Sequence, residues 1–123
     1  MAQHIQQMDK EMERCIQNCL ACYRICLETI NYCLEKGGRH AEPGHIRLLL
    51  DCAEVCQTSA GFLIRQSDLH SNVCEICAEI CEICAEDCAE FSSDVQMAAC
   101  AEACRRCAES CRRMSGTQGR KAA

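Results

Sequence analysis

The chain has 123 residues, of which 16 are cysteine, one is proline and none is tryptophan. This length suits one domain with a modest hydrophobic core. The formal net charge is −5, and no basic patch alternates with aromatic residues, which argues against a nucleic-acid partner. No apolar run approaches the roughly 20 residues that cross a bilayer, so the sequence predicts no membrane partner either.

So high a density of cysteine would suit a secreted disulfide scaffold. The first residues, MAQHIQQMDKEMERC, nevertheless lack the basic region, the apolar region and the twin arginine of export signals. We therefore expect a cytoplasmic protein, whose thiols are kept reduced by glutathione and thioredoxin. Sixteen reduced thiols in one small chain indicate metal binding more than disulfide formation.

Runs of glycine, proline and small polar residues divide the chain into four segments. The breaks are EKGGRHAEPGH, RQSDLHSN and EFSSDVQ, and the second of them offers Ser67 and Asp68 as candidate N-caps. The segments between the breaks are rich in Ala, Glu, Leu, Arg and Gln, which favour helix. The predicted helices cover about residues 4–36, 44–66, 69–91 and 94–115.

Short connections between helices make neighbours antiparallel. We therefore predict an all-α fold, an antiparallel up-down four-helix bundle with a cysteine-lined core, over residues 1–115. The remaining residues, 116–123, are predicted to form a flexible C-terminal tail.

The third segment indicates what fills this core, because residues 74–88 read CEICAEICEICAEDC. Its five cysteines are separated by 3, 4, 3 and 4 positions, which is the spacing of core residues in a bundle helix. The same stripe can be drawn on every segment, and it includes all the cysteines of the chain. They are Cys15, Cys19, Cys22, Cys26, Cys33, Cys52, Cys56, Cys74, Cys77, Cys81, Cys84, Cys88, Cys100, Cys104, Cys107 and Cys111.

Three interpretations of a thiol core fit poorly. Cysteine can act as a small buried hydrophobe, but a core built almost wholly of thiols would be underpacked. Disulfides within a helix are badly placed, because Cβ atoms four residues apart are about 5–6 Å from each other and a disulfide needs about 3.5–4.5 Å; disulfides between helices remain possible. Zinc and iron–sulfur centres use closed sets of four ligands, whereas these thiols form continuous rows without fourfold grouping. Several zinc–tetrathiolate sites would also stack negative charge in one dry core.

Cu(I) suits continuous rows of thiols better. It is soft and singly charged, and it accepts two or three sulfur ligands. An i, i+4 pair can therefore hold one ion, and each Cu⁺ replaces one thiol proton, so that filling the core leaves its charge unchanged. If every thiolate bridges two ions, the ratio approaches about one copper per cysteine.

Three stretches, CIQNCLACYRICLETINYCL, HAEPGHIRLLLDCAEVCQTSA and CAEACRRCAESCR, resemble the bacterial copper storage proteins, and the lack of an export signal resembles their cytosolic branch. The resemblance covers nearly the whole chain. It implies a cysteine-lined bundle that holds many Cu(I) ions, clamped largely by CxxxC pairs, and a homotetramer of bundles. The matching pairs are Cys15/Cys19, Cys22/Cys26, Cys52/Cys56, Cys77/Cys81, Cys84/Cys88, Cys100/Cys104 and Cys107/Cys111. The second helix departs from the pattern with only two cysteines, so we expect its share of the metal to be small.

The stripes also predict what lies at the two ends of the bundle. His45 begins the second stripe, His40 precedes it, and Cys33, Phe91 and Met97 share that end. We expect His45, His40 and Met97 to be further candidate ligands, which receive Cu(I) and pass it inward; the alternative for each histidine is an ordinary surface position. The opposite end is predicted to be a mainly apolar plug, although its methionines could bind copper. Its residues are Ile5, Met8, Met12, Leu63, His70, Val73 and Met114.

The first helix carries a second apolar strip outside its cysteine row, and the third helix carries a shorter one. A single small bundle cannot bury two faces of a helix, so the strips predict an interface between subunits. Packing along the flanks of the same bundle is the alternative. The strip residues are Ile16, Leu20, Tyr23, Leu27, Ile30 and Leu34 in the first helix and Ile76, Ile80 and Ile83 in the third.

The sequence therefore predicts a non-enzymatic, high-capacity cytosolic Cu(I) store. The cysteines are too many and too alike to be catalytic. One alternative is a metallothionein-like buffer for zinc, cadmium and copper. Another, from a different class, is a redox enzyme or sensor that uses CxxC pairs, which would need an exposed thiol of low pKa.

Overall fold

The computed structural model describes residues 10–116. Helix α1 spans Lys10–Lys36, α2 spans Pro43–Ile64, α3 spans His70–Ala89 and α4 spans Val95–Ser115, and a 3-10 turn over Gly38–Ala41 lies between α1 and α2. The predicted start of the first helix, including Ile5 and Met8, lies outside the described residues, as does the predicted tail beyond Gly116.

The four helices pack side by side in a closed ring. Helices α1 and α3 each contact both α2 and α4, which leaves α1 diagonally opposite α3 and α2 diagonally opposite α4. The connections between consecutive helices are short, so neighbours run antiparallel. The predicted all-α four-helix bundle is confirmed, and the described part of the chain contains no strand. No helix within residues 10–116 is long and apolar enough to span a bilayer.

A side-chain cap marks the start of α4 but not the start of α3. The Asp94 carboxylate accepts a hydrogen bond from the Met97 backbone N–H at 3.1 Å, which makes Asp94 the N-cap of α4. Helix α3 begins without such a bond, because its N-cap residue is Leu69. The prediction that Ser67 or Asp68 caps α3 is therefore wrong. The Ser67 hydroxyl instead accepts from the Leu69 N–H at 3.1 Å and so stabilises the turn before the helix.

Thiols make up most of the core. Every cysteine of the chain is buried with no exposed surface. The alanines that follow cysteine in the repeated CAE pattern are mostly buried too, which lets neighbouring backbones approach closely enough for short side chains to touch. The buried ones are Ala53, Ala78, Ala85, Ala101 and Ala108. Leu49, Leu63 and Met97 are the largest fully buried side chains.

The second apolar strip of α1 contains both buried and exposed residues. Ile16 is buried within the subunit, so its assignment to an outer strip is wrong. Tyr23 and Ile30 are half-buried against the core. Three leucines at intervals of seven residues stay in contact with solvent and form one line along the helix. They are Leu20, Leu27 and Leu34, whose exposed fractions are 43%, 40% and 55%.

Candidate metal centre

Thiols of different helices lie closer together than thiols of the same CxxxC pair. The Sγ atoms of Cys56 and Cys81, on α2 and α3, are 3.5 Å apart. The Sγ atoms of Cys77 and Cys81, within one pair on α3, are 3.9 Å apart, and those of Cys22 and Cys26 on α1 are 4.0 Å apart. The protonated core is therefore a lateral network, in which all the thiols are free.

The Sγ atoms gather into sets whose members lie within 4.8 Å of one another, and each set draws on three helices. The sets are Cys19/Cys77/Cys107/Cys111, Cys22/Cys26/Cys52/Cys104, Cys22/Cys52/Cys56/Cys81, Cys56/Cys77/Cys81/Cys107 and Cys15/Cys74/Cys111. The expectation of rows without fourfold grouping is therefore wrong once the helices are packed. The sets share members, however, so they form one connected network, whereas structural zinc centres are closed sets of four ligands.

The two thiols of α2 occupy the middle of this network. Cys52 and Cys56 belong to three of the four fourfold sets. The Cys52 Sγ lies 3.7 Å from that of Cys81 on α3 and reaches across the diagonal to Cys104 on α4 at 3.9 Å. Although α2 carries only two cysteines, both have many thiol neighbours, because the level of a thiol along the bundle axis decides how many neighbours it has. The expected small share of metal for α2 finds no support in this geometry.

The pKa values of the buried thiols shift in both directions, and hydrogen bonds with neighbouring thiols lower the pKa of Cys52. Burial raises the pKa of the Cys33 thiol to about 11. Deeper in the core, the hydrogen bond with Cys107, together with other thiol contacts and burial, raises the pKa of Cys56 and of Cys81. A cation that binds a protonated thiol must displace its proton. Burial separates these cysteines from reactive redox cysteines, which are partly exposed.

One end of the network is built from an imidazole, a carboxylate and a thioether. The His45 Nε2 lies 3.4 Å from the Cys33 Sγ, which in turn lies 3.7 Å from the Met97 Sδ. The His45 Nδ1 contacts the carboxylate of Asp87. If Nδ1–H donates to Asp87, the Nε2 lone pair points at the thiol, which is the arrangement of a metal-binding histidine. The structure thus brings together His45, Cys33 and Met97, which the stripes placed at this end.

Asp87 is the residue at this end that sequence reasoning missed. It lies 42 positions from His45, in the segment CAEDC. The sequence did carry one signal. Asp87 directly precedes Cys88, whereas in the earlier CAE repeats no carboxylate lies next to the following cysteine. The contact itself depends on the packing of α2 against α3.

His40 lies beside this end but is separated from His45. The ring centroid of Phe91 is 4.5 Å from that of His40 and 4.9 Å from that of His45. The His40 Nε2 lies 2.8 Å from Asp94 Oδ2, which also accepts from the Tyr32 hydroxyl at 2.8 Å. Burial favours the neutral carboxyl, but backbone and side-chain hydrogen bonds outweigh it and hold the pKa of Asp94 at about 2. His40 therefore faces a carboxylate and not a thiol.

The opposite end is closed by apolar side chains. Its thiols are Cys15, Cys74 and Cys111, and the Ser59 hydroxyl lies 3.5 Å from the Cys74 Sγ. Leu63, one turn beyond Ser59, is fully buried, and Met12 and Met114 pack against the core while partly exposed. Leu63, Met12 and Met114 therefore pack as apolar side chains do, whereas the His70 Nδ1 lies 2.8 Å from the Ser67 carbonyl oxygen.

Comparison with known proteins places these features in a family context. The model of the copper storage protein family matches residues 8–116. The protein Nmul_A1745 from Nitrosospira multiformis is 45% identical with a TM-score of 0.83, over 88% of this chain and 97% of that one. The Cu(I)-bound copper storage protein BsCsp3 is 36% identical with a TM-score of 0.80, over 86% of this chain and 99% of that one. Metal-free copper storage protein 3 from Bacillus subtilis is similar as well. Ccsp from Streptomyces lividans, loaded with 10 copper equivalents, is 30% identical with a TM-score of 0.77, over 93% of this chain and 91% of that one.

Proposed function

The chain belongs to the copper storage protein family, and we propose that it is a non-enzymatic, high-capacity cytoplasmic store that holds roughly one Cu(I) per cysteine. The observation that carries this proposal is the connected network of buried, free thiols. BsCsp3 is described as Cu(I)-bound, and a similar Streptomyces lividans protein is described as a cytosolic copper storage protein. Both descriptions support the same function for this chain.

The overlap between the thiol sets favours Cu(I) over divalent zinc or cadmium. Cys56 and Cys81 each belong to two sets, so each thiolate can bridge ions in neighbouring positions. A soft ion that accepts two or three sulfurs suits such sharing. Because Cu⁺ replaces a proton, the charge of the core stays the same as it fills, whereas zinc tetrathiolates would accumulate negative charge in a dry interior.

The end at His45 is proposed to be where copper enters. His45, Cys33 and Met97 present a nitrogen, a thiol and a thioether in sequence from the rim to the core. These are the ligand types that Cu(I) prefers. Asp87 holds the imidazole in place, and His40 would act as a ligand after leaving Asp94.

An anaerobic Cu(I) titration followed by native mass spectrometry tests the storage function. We expect roughly 16 ions per chain at saturation, because each thiolate accommodates about one, and a few more with histidine or methionine at the rim. Saturation at one to four ions would contradict storage and favour discrete sites. The same titration with equimolar zinc separates a copper store from a general soft-metal buffer, since copper should displace the zinc. Fast reaction of one or two thiols of the metal-free protein with a thiol reagent would instead favour a redox function.

The assembly is proposed to be a homotetramer whose interface includes the line of Leu20, Leu27 and Leu34. Leu27→Glu should break the oligomer, because it buries an unpaired carboxylate in an apolar contact. Copper capacity should be preserved, since Leu27 lies outside the thiol row. Size-exclusion chromatography gives the result, and Leu50→Glu, an equally exposed leucine on α2, is the matched control. If Leu27→Glu stays oligomeric, the interface lies elsewhere.

A further inference from the structure

His45 is shielded from solvent, although it lies at the proposed point of entry. The residue is 7% exposed. Both ring nitrogens are engaged, Nδ1 with the Asp87 carboxylate and Nε2 with the Cys33 thiol. An incoming ion therefore cannot reach a ring nitrogen until a neighbouring group moves.

Phe91 is the group that covers one face of the imidazole. Its ring centroid is 4.9 Å from that of His45, and Phe91 is itself only 8% exposed. On its other side, the ring contacts His40 at 4.5 Å between centroids. The Arg39 guanidinium lies 4.5 Å from the same ring centroid and also pairs with Glu90 at 3.5 Å. Phe91 is thus held between two imidazoles and an arginine.

None of these covering residues belongs to one of the four long helices. Phe91 lies in the connection between α3 and α4, in which Ser93 has a positive φ of 64°. Arg39 and His40 belong to the 3-10 turn, none of whose residues is buried. The turn follows Gly37 and Gly38, whose φ values of 76° and 59° suit glycine. Connections between helices open at a lower cost than the helices themselves.

A cavity of about 330 Å³ lies against this cover. Phe91 and Arg39 line it together with His45, and its carboxylates are those of Glu42, Asp87 and Glu90. Three carboxylates against one guanidinium give the cavity an excess of negative charge, which attracts a cation. Cys33 does not line the cavity, so displacement of the Phe91 ring is the movement that would join the cavity to the Cys33 thiol.

We propose that Phe91, held down by Arg39 and His40, is a movable lid over His45 whose opening limits the rate of copper entry. The proposal rests on entry at His45 as part of the proposed function. The lid changes how often the binding-competent state is populated and leaves the number of sites unchanged.

Stopped-flow loading from a Cu(I)–bicinchoninate complex tests the lid. Phe91→Ala should raise the loading rate about tenfold or more, because burial of the ring keeps the lid closed. Arg39→Ala should raise it about two- to fivefold, which corresponds to the loss of one cation–π contact. Final copper capacity should stay at the parent value in both variants. Arg39 is an exposed side chain, so Arg39→Ala keeps the test valid even if Phe91→Ala folds poorly.

The matched control is Arg65→Ala. Arg65 lies 4.4 Å from the ring centroid of Phe62 near the far end of the bundle, and its loss should leave loading at the parent rate. An equal acceleration in Arg65→Ala would show that the effect is not local and would contradict the proposal of a lid at Phe91. Parent rates in both Phe91→Ala and Arg39→Ala would overturn it as well.

A readout without copper separates the lid from the storage function. Reaction of the metal-free thiols with 4,4′-dithiodipyridine should start about tenfold faster in Phe91→Ala, and this fast phase should disappear when Cys33→Ser is added. If capacity proved low but the fast phase appeared, storage would fail and the lid would stand. With normal capacity and no fast phase, the lid would fail and storage would stand.

Discussion

The two ends of the bundle close the same thiol network in different ways. At one end His45 contacts both Asp87 and Phe91, and Phe91 lies in a connection between helices. At the other end Leu63, Met12 and Met114 pack from within the helices themselves. A polar closure can exchange its partners for a metal ion, whereas an apolar closure contributes mainly to stability. The difference agrees with the proposed entry of copper at the His45 end and with a stabilising role for the opposite end.

The largest effect expected from this difference is at the apolar end. Leu63→Ala should lower the free energy of unfolding of the reduced, metal-free protein by about 2–5 kcal/mol, because it leaves a cavity at a fully buried position. Urea unfolding followed by circular dichroism measures this loss, and the parent should already be strongly helical without copper. The copper loading rate should stay at the parent value. Faster loading would indicate that copper also enters through the plug.

The second effect concerns the polar end. His45→Ala should slow Cu(I) loading about tenfold or more, because it removes the nitrogen proposed to receive the ion and leaves Asp87 without an imidazole to orient. Assembly should be intact and final capacity should barely fall, since the thiols remain. Stopped-flow loading provides the measurement.

Met114→Ala is the control for His45→Ala at the opposite end, and it should load at the parent rate. The reverse pattern, with slow loading in Met114→Ala and normal loading in His45→Ala, would exchange the roles of the two ends.

The smallest effect comes from the polar contacts that tie the polar end together. Asp94→Ala should cost about 1 kcal/mol of stability, because it removes the N-cap of α4. The pKa of Asp94 is about 2, below the ordinary value of about 3.9 for aspartate. The ionised carboxylate therefore stabilises the fold above about pH 4, and this stabilisation is lost as the pH falls towards 2.

Urea unfolding at pH 7 and near pH 3 measures the effect of Asp94→Ala, and the difference from the parent should shrink at the lower pH. Ser67→Ala, which removes a single hydrogen bond near the other end, is the control and should cost less. A larger loss in Ser67→Ala would contradict the view that polar contacts matter more at the His45 end.

Particular residues show where sequence-based prediction succeeds and where it does not. The heptad spacing correctly placed every cysteine in the core and brought Cys33, His45 and Met97 to one end. It failed for Ile16, which the packing of neighbouring helices buries. It also missed Asp87, because only the register of α2 against α3 brings its carboxylate to His45. Ligand roles for the cysteines, His45, His40 and Met97 remain predictions.

By itself, the sequence determined the helices, the inward direction of the thiols and the exposed line of Leu20, Leu27 and Leu34. These features follow from spacing within one helix, which depends on local backbone geometry alone. The tertiary structure decided which thiols of different helices meet, that Cys52 and Cys56 lie at the centre, and that Phe91 covers His45. Such contacts depend on how far each helix is shifted along its neighbours, and that shift is set by packing and connections across the whole bundle.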